Sequence, residues 1–108
     1  MGITSVGLTV PRMVEPGKWF DGSVRVVLSN GDTVAAVTVQ GTPLPVEVRN
    51  LHEEQEAGGG GGSGISVWVF QARLSGGTPD AGVEMLFCDV TSTQGDTKSD
   101  HATVVVVQ

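Results

Sequence analysis

Between Pro16 and Val39 the chain reads PGKWFDGSVRVVLSNGDTVAAVTV, two valine-rich alternating runs joined by Asn30-Gly31-Asp32-Thr33. Asn-Gly between alternating runs is the strongest short hairpin signal, because both central positions of such a turn need positive φ. In the first run Val24, Val26 and Leu28 fall on one face, and Ser23, Arg25, Val27 and Ser29 on the other. Arg25 marks that second face as reaching solvent. In the return run Val37 and Val39 share a face opposite Thr38 and Gln40. The pair reads as one half of a β-sandwich.

Five further runs extend the pattern. Ile3 to Val10 predicts a first strand ended by Pro11, and Val14-Glu15-Pro16-Gly17 a turn. Val46 to Arg49 predicts a short strand at a sheet edge, since Pro43 and Pro45 flank its start. Ile65 to Leu74 places Val67 and Val69 on one face and Trp68 and Phe70 on the other, before a turn at Gly76-Gly77-Thr78-Pro79-Asp80. Val83 to Thr91 follows, then a turn at Gln94-Gly95-Asp96-Thr97, then Ala102 to Gln108. Val104-Val105-Val106-Val107 is apolar on both faces, which fits burial between sheets or under a partner. Left bare, it would be an aggregation-prone edge.

The expected architecture is therefore all-β: an immunoglobulin-like β-sandwich of about seven antiparallel strands. It forms one domain, residues 1–108, with a glycine-rich loop at 57–64. One segment, Val48 to Glu56, is a short helix candidate that ends in those glycines. The turns Asn30-Gly31-Asp32-Thr33 and Gln94-Gly95-Asp96-Thr97 each precede a valine-rich strand and read as one turn solution used twice.

A 108-residue chain buries about two-thirds of its unfolded surface, enough for one core without staples. Packing must suffice here, because Cys88 is the only cysteine and no intrachain disulfide can form. Cys88 sits in the apolar run Met85-Leu86-Phe87-Cys88, where a buried inert thiol is expected. The formal net charge of -6 and the six scattered basic residues argue against nucleic acid and against anionic membranes. No run approaches the ~20 apolar residues of a membrane span. Met1 to Ser5 lacks the basic-then-apolar pattern of a secretory signal: a native Met1 implies use without Sec export, and a Met1 that is not native leaves a larger secreted parent as the alternative.

Pro16-Gly17, the alternating strand, Ser29-Asn30-Gly31-Asp32-Thr33 and the second Val/Thr strand resemble the Ig-like conserved-repeat domains of prokaryotic surface proteins. The closing stretch, Val90 to Thr97 and His101 to Val106, is similar to the last strands of those domains. The chain departs from them in its glycine loop, its single copy and its missing export signal, and it lacks the Cys-Trp-Cys pattern of antibody domains. Tailed bacteriophages also carry Ig-like domains on their virions, and those proteins need no signal peptide. The resemblance implies a structural or recognition module in one of these two settings.

Catalysis finds no support in the residues. No Gly-x-Ser-x-Gly elbow stands at a strand-to-helix turn, and Gly62-Ser63-Gly64 lacks the following helix of a phosphate cradle. His101 would need to meet Cys88 or a serine. His52-Glu53-Glu54-Gln55-Glu56 gathers oxygens that suit a hard cation, but without an alternating-Asp loop it reads as a solvated charged segment. Lys18 and Lys98, the two lysines, sit in turn-like polar settings that do not favour an isopeptide bond. No cofactor or metal is expected.

These readings lead to a non-enzymatic structural protein, a decoration or cement protein of a phage capsid or a tail component. Its partners would be a capsid or tail protein, or copies of itself. The expected partner-binding residues are Ile3, Trp19, Phe20, Gly60, Val105 and Val107. The alternative is a repeat module of a cell-surface adhesin, with a host surface or glycan as partner. A carbohydrate-binding module comes third and would use Trp19 or Trp68.

Overall fold

The computed structural model describes residues 2–29, 31–42, 44–54, 64–75 and 82–107. Among these, eight strands form: β1 (Ile3–Thr9), β2 (Met13–Val14), β3 (Phe20–Leu28), β4 (Val34–Thr42), β5 (Val46–Glu54), β6 (Ile65–Leu74), β7 (Gly82–Ser92) and β8 (Thr97–Val106). They build two four-stranded sheets, ordered β1-β3-β6-β5 and β2-β8-β7-β4, packed as a sandwich.

Period-two burial explains the packing. Val24, Val26 and Leu28 of β3 and Phe70, Ala72 and Leu74 of β6 point inward from the first sheet. Val37 of β4, Leu86, Cys88 and Val90 of β7, and Val104 and Val106 of β8 meet them from the second. Each fully buried Val, Leu or Phe contributes roughly 1.5–3 kcal/mol from surface removed from water. Gly22 faces Phe70 across β3 and β6, and a Cβ there would lie 2.4 Å from the ring's Cζ. The phenyl ring thus fills the space that a side chain at position 22 would take.

Several sequence expectations change. The Asn30-Gly31 connection does not close a hairpin: β3 pairs with β1 and β6, and β4 with β7. Alternation fixes which face is buried, and strands on opposite sheets bury the same valines as strands paired side by side. The turn instead bonds across the sandwich end to the second turn of the same pattern. Asp32 Oδ1 accepts from the Thr33 amide at 2.9 Å, the Thr93 hydroxyl at 3.1 Å and the Gln94 amide at 3.3 Å. The Thr93 amide donates to the Thr33 carbonyl at 2.8 Å.

The helix candidate over Val48–Glu56 is overturned for its described part, where β5 continues as a strand to Glu54. A register shift between Arg49 and His52, with Asn50 at φ 58°, breaks its alternation. The bulge lets Val48 and Leu51, three residues apart, both pack against the core. Val14, expected in a turn, lies in β2, an eighth strand that pairs parallel with β8. The sandwich is therefore not wholly antiparallel. As expected, β5 is an edge strand.

Edge strand β1 is pinned by carboxylates from the other sheet. The Ile3 amide donates to Asp96 Oδ2 and the Leu8 amide to Asp100 Oδ2, each at 2.7 Å. Charged acceptors on backbone amides give short, strong hydrogen bonds.

Candidate functional site

The outer face of the β2-β8-β7-β4 sheet carries an apolar patch. The register sets Met13 of β2 beside Val105 of β8, and Val105 beside Val83 of β7, in one row across three strands. Met85, two residues along β7, extends the row toward Thr42 of β4. Met13 is 64% exposed, Val83 62%, Val105 45% and Met85 39%. Phe87, half-buried, continues the same face opposite His101. Met85, Phe87, Ser99, Asp100 and His101 line a shallow depression of about 340 Å³. Single exposed apolar residues are ordinary, whereas a large contiguous set is a candidate interaction surface.

Alternation generates this patch. In β7 the inward residues are Glu84, Leu86, Cys88 and Val90, so Val83, Met85 and Phe87 must point out. In β8 Val104 and Val106 go in and Val105 goes out. Strands apolar on both parities have more apolar surface than one core can take.

The outer face of the β1-β3-β6-β5 sheet is mixed: Ile65, 42% exposed, stands beside Val27, Val67 and Val69 follow along β6, and the end near Trp19 is polar. Gln71 joins Asp21, Arg49 and Asn50 through side-chain hydrogen bonds of 2.9–3.2 Å. The guanidinium carbons of Arg49 and Arg73 lie 3.8 and 4.7 Å from the Trp19 ring centroid, and Arg73 also pairs with Glu47 at 3.0 Å. An open groove of about 820 Å³ runs beside this network, past Thr9, Ser23, Val69 and His52.

The six residues singled out in the sequence scatter. Val105 stands at the centre of the apolar row. Val107 is half-buried, and its amide donates to the Val14 carbonyl at 2.9 Å. Ile3 is a correction: it is buried in the core and cannot meet a partner. Trp19 is half-buried on the opposite sheet, covered by guanidinium groups, so it offers no bare anchor. Phe20 opens β3 and packs on the core. Gly60, with most of the glycine loop, lies outside the described residues. Met13, Val83, Met85 and Phe87 were missed. The shared parity of Val83, Met85 and Phe87 was visible, but Glu84 hid which parity faces inward, and Met13 lies in the separate two-residue β2.

Cys88 is fully buried, and burial pushes its thiol pKa up to about 11. It sits opposite Asp100, while His101 sits opposite Phe87 on the outer face, so Cys88 and His101 occupy opposite sides of one sheet. His52 Nδ1 donates to the Asn50 carbonyl at 2.6 Å, and Glu53 accepts from the Ser66 hydroxyl at 2.5 Å. Among the described residues no group of three His, Cys, Asp or Glu is placed to hold a metal ion, and no helix is long and apolar enough to cross a membrane. Burial works to raise the Asp32 pKa, but bonds from Ser92, the Thr33 amide, Thr93 and the Gln94 amide outweigh it and lower it.

No protein-family model matches this chain, and no curated protein does. Among solved structures it is similar to the cohesin module from Clostridium perfringens ATCC13124 family 33 glycoside hydrolase. The two share a fold. They are 11% identical, with a TM-score of 0.50 over 98% of each chain. At that identity the likeness concerns the β-sandwich and carries no residue roles.

Proposed function

We propose that this chain is a non-enzymatic, immunoglobulin-like module that works by protein–protein contact through the outer face of its β2-β8-β7-β4 sheet. The observation that carries the reading is the row Met13–Val105–Val83, extended by Met85. A protein surface with a complementary apolar strip would cover it, and the polar residues around it would form the rim.

The strand order supports the immunoglobulin-like assignment. With β2 set aside as a split of the first strand, the sheets read first-second-fifth-fourth and third-sixth-seventh, the order of a seven-strand constant-type domain. We propose a virion as the setting, with the module as an accessory of a capsid or tail that stabilises subunit junctions by burying this face. The alternative is a repeat of a cell-surface adhesin. A glycan partner is less favoured at the tryptophans. Trp19 is engaged by Arg49 and Arg73, and the half-buried Trp68 donates its indole N–H to Ser66 at 2.9 Å.

The test is co-sedimentation of the full chain with purified virions, beside isolated cell envelopes. Val105→Glu and Val83→Glu should abolish retention while leaving the circular dichroism spectrum unchanged. Retention of both variants at wild-type levels would overturn the docking face. Retention on envelopes and not on virions would favour the adhesin setting.

A further inference from the structure

We infer that β4 is a self-association edge, through which two copies of this chain pair antiparallel about a two-fold axis centred on Thr38. A sandwich of two open sheets has four edge strands, and natural proteins blunt such edges to prevent strand addition. Three are blunted here. Carboxylates of Asp96 and Asp100 occupy amides of β1. A bulge at Asn50 and the charges of Glu47, Arg49, Glu53 and Glu54 interrupt β5. β2 is two residues long.

β4 has almost none of these devices. Its nine residues, VAAVTVQGT, contain no charge and no proline. Its one irregularity, between Val34 and Ala36, lies at its start. Among the described residues its strand hydrogen bonds go to β7, on one side. Extended backbone groups left on the other side are matched by another extended strand.

The sequence of β4 selects a second copy as that strand. Antiparallel pairing about Thr38 places Thr38 opposite Thr38, Val37 opposite Val39, and Ala36 opposite Gln40. Buried-side residues meet buried-side residues, and the uncharged exposed residues Ala36, Thr38 and Gln40 meet each other. Thr–Thr and β-branched pairs are favourable across strands. No charges oppose one another at this edge in a chain of net charge -6, whereas self-pairing at β5 would gather its glutamates. This inference stands apart from the outer-face reading, because it uses the backbone edge of β4 and none of the apolar row.

Sedimentation velocity on the full chain, from about 10 μM to about 1 mM, tests it. The expected result is a concentration-dependent dimer whose dissociation constant rises at least ~10-fold in Thr38→Lys, since two lysines then face each other across the axis. Gln40→Lys serves as a second variant should Thr38→Lys fail to fold. Val105→Glu should leave the dimer intact. A chain that stays monomeric throughout, or a dimer unaffected by either lysine, overturns the proposal. A dimer lost in Val105→Glu but kept in Thr38→Lys places the contact on the outer face and overturns it as well.

Discussion

The Glu84 carboxylate accepts the Leu44 amide through Oε1 at 3.0 Å, while its Oε2 has no partner among the described residues. Glu84 is 1% exposed. Burial raises its pKa above the ordinary 4.5, and the Leu44 hydrogen bond offsets this in part. The folded state therefore binds this proton more tightly than the unfolded state. The cost of the buried charge is present above the raised value and is relieved as pH falls through it toward 4.5. Glu84→Gln keeps an acceptor for Leu44 and removes the charge. It should stabilise the fold more at pH 7, where the buried charge costs most, than at about pH 4. Urea titrations should show that gain shrinking on acidification, and a gain that does not change with pH would contradict the assignment.

Gly22 has no room for a side chain beneath Phe70. Gly22→Ala should cost about 1–3 kcal/mol through overpacking. In a Phe70→Leu background the same change should cost less, because the two positions share one volume. Equal costs in both backgrounds would show that the ring is not the obstacle.

Asp100→Ala removes the acceptor for the Leu8 amide on β1. A loss of about 1 kcal/mol is expected, with faster hydrogen exchange at Leu8 than at Val24. Asp100→Asn, which retains a carbonyl oxygen, should lose less. Unchanged exchange at Leu8 would mean that the pin does not hold β1.

Cys88 should not react with aromatic disulfide reagents at pH 7 while the chain is folded, and should react fully in denaturant. Its thiol is fully buried, with a pKa of about 11, and reaction needs an exposed thiolate. Labelling of the native protein at the rate of a free peptide thiol would refute this.

Much of the fold was legible because alternation reports burial. Val24, Val26 and Leu28 face inward as their spacing predicts, and Val37 does so on the facing sheet. Pairing was not legible from the same signal. The Asn30-Gly31 segment looks like a hairpin until Asp32 is seen bonding to Thr93 and Gln94, a contact between distant residues. Strand β5 was masked by its bulge at Asn50, and β2 by its two-residue length. Of the apolar row, Val105 was readable from the unbroken valines of β8. Val83 and Met85 were not, since Glu84, a buried acid, inverts the usual meaning of polarity in β7, and Met13 was lost with β2 itself.

The course of the first strands along β8 has a mechanical consequence. β1 follows β8 through Asp96 and Asp100, and β2 continues in parallel, with Val105 N–H donating to the Arg12 carbonyl at 2.8 Å. Gly2 lies beside Asp96 at the start of β8, and Val107 just past its end. Tension applied between these two points would pull the parallel strands past one another lengthwise, loading their cross-links together instead of opening them one after another like a zipper. Such an arrangement resists stretching along the direction of β8 far better than peeling β1 and β2 away from it.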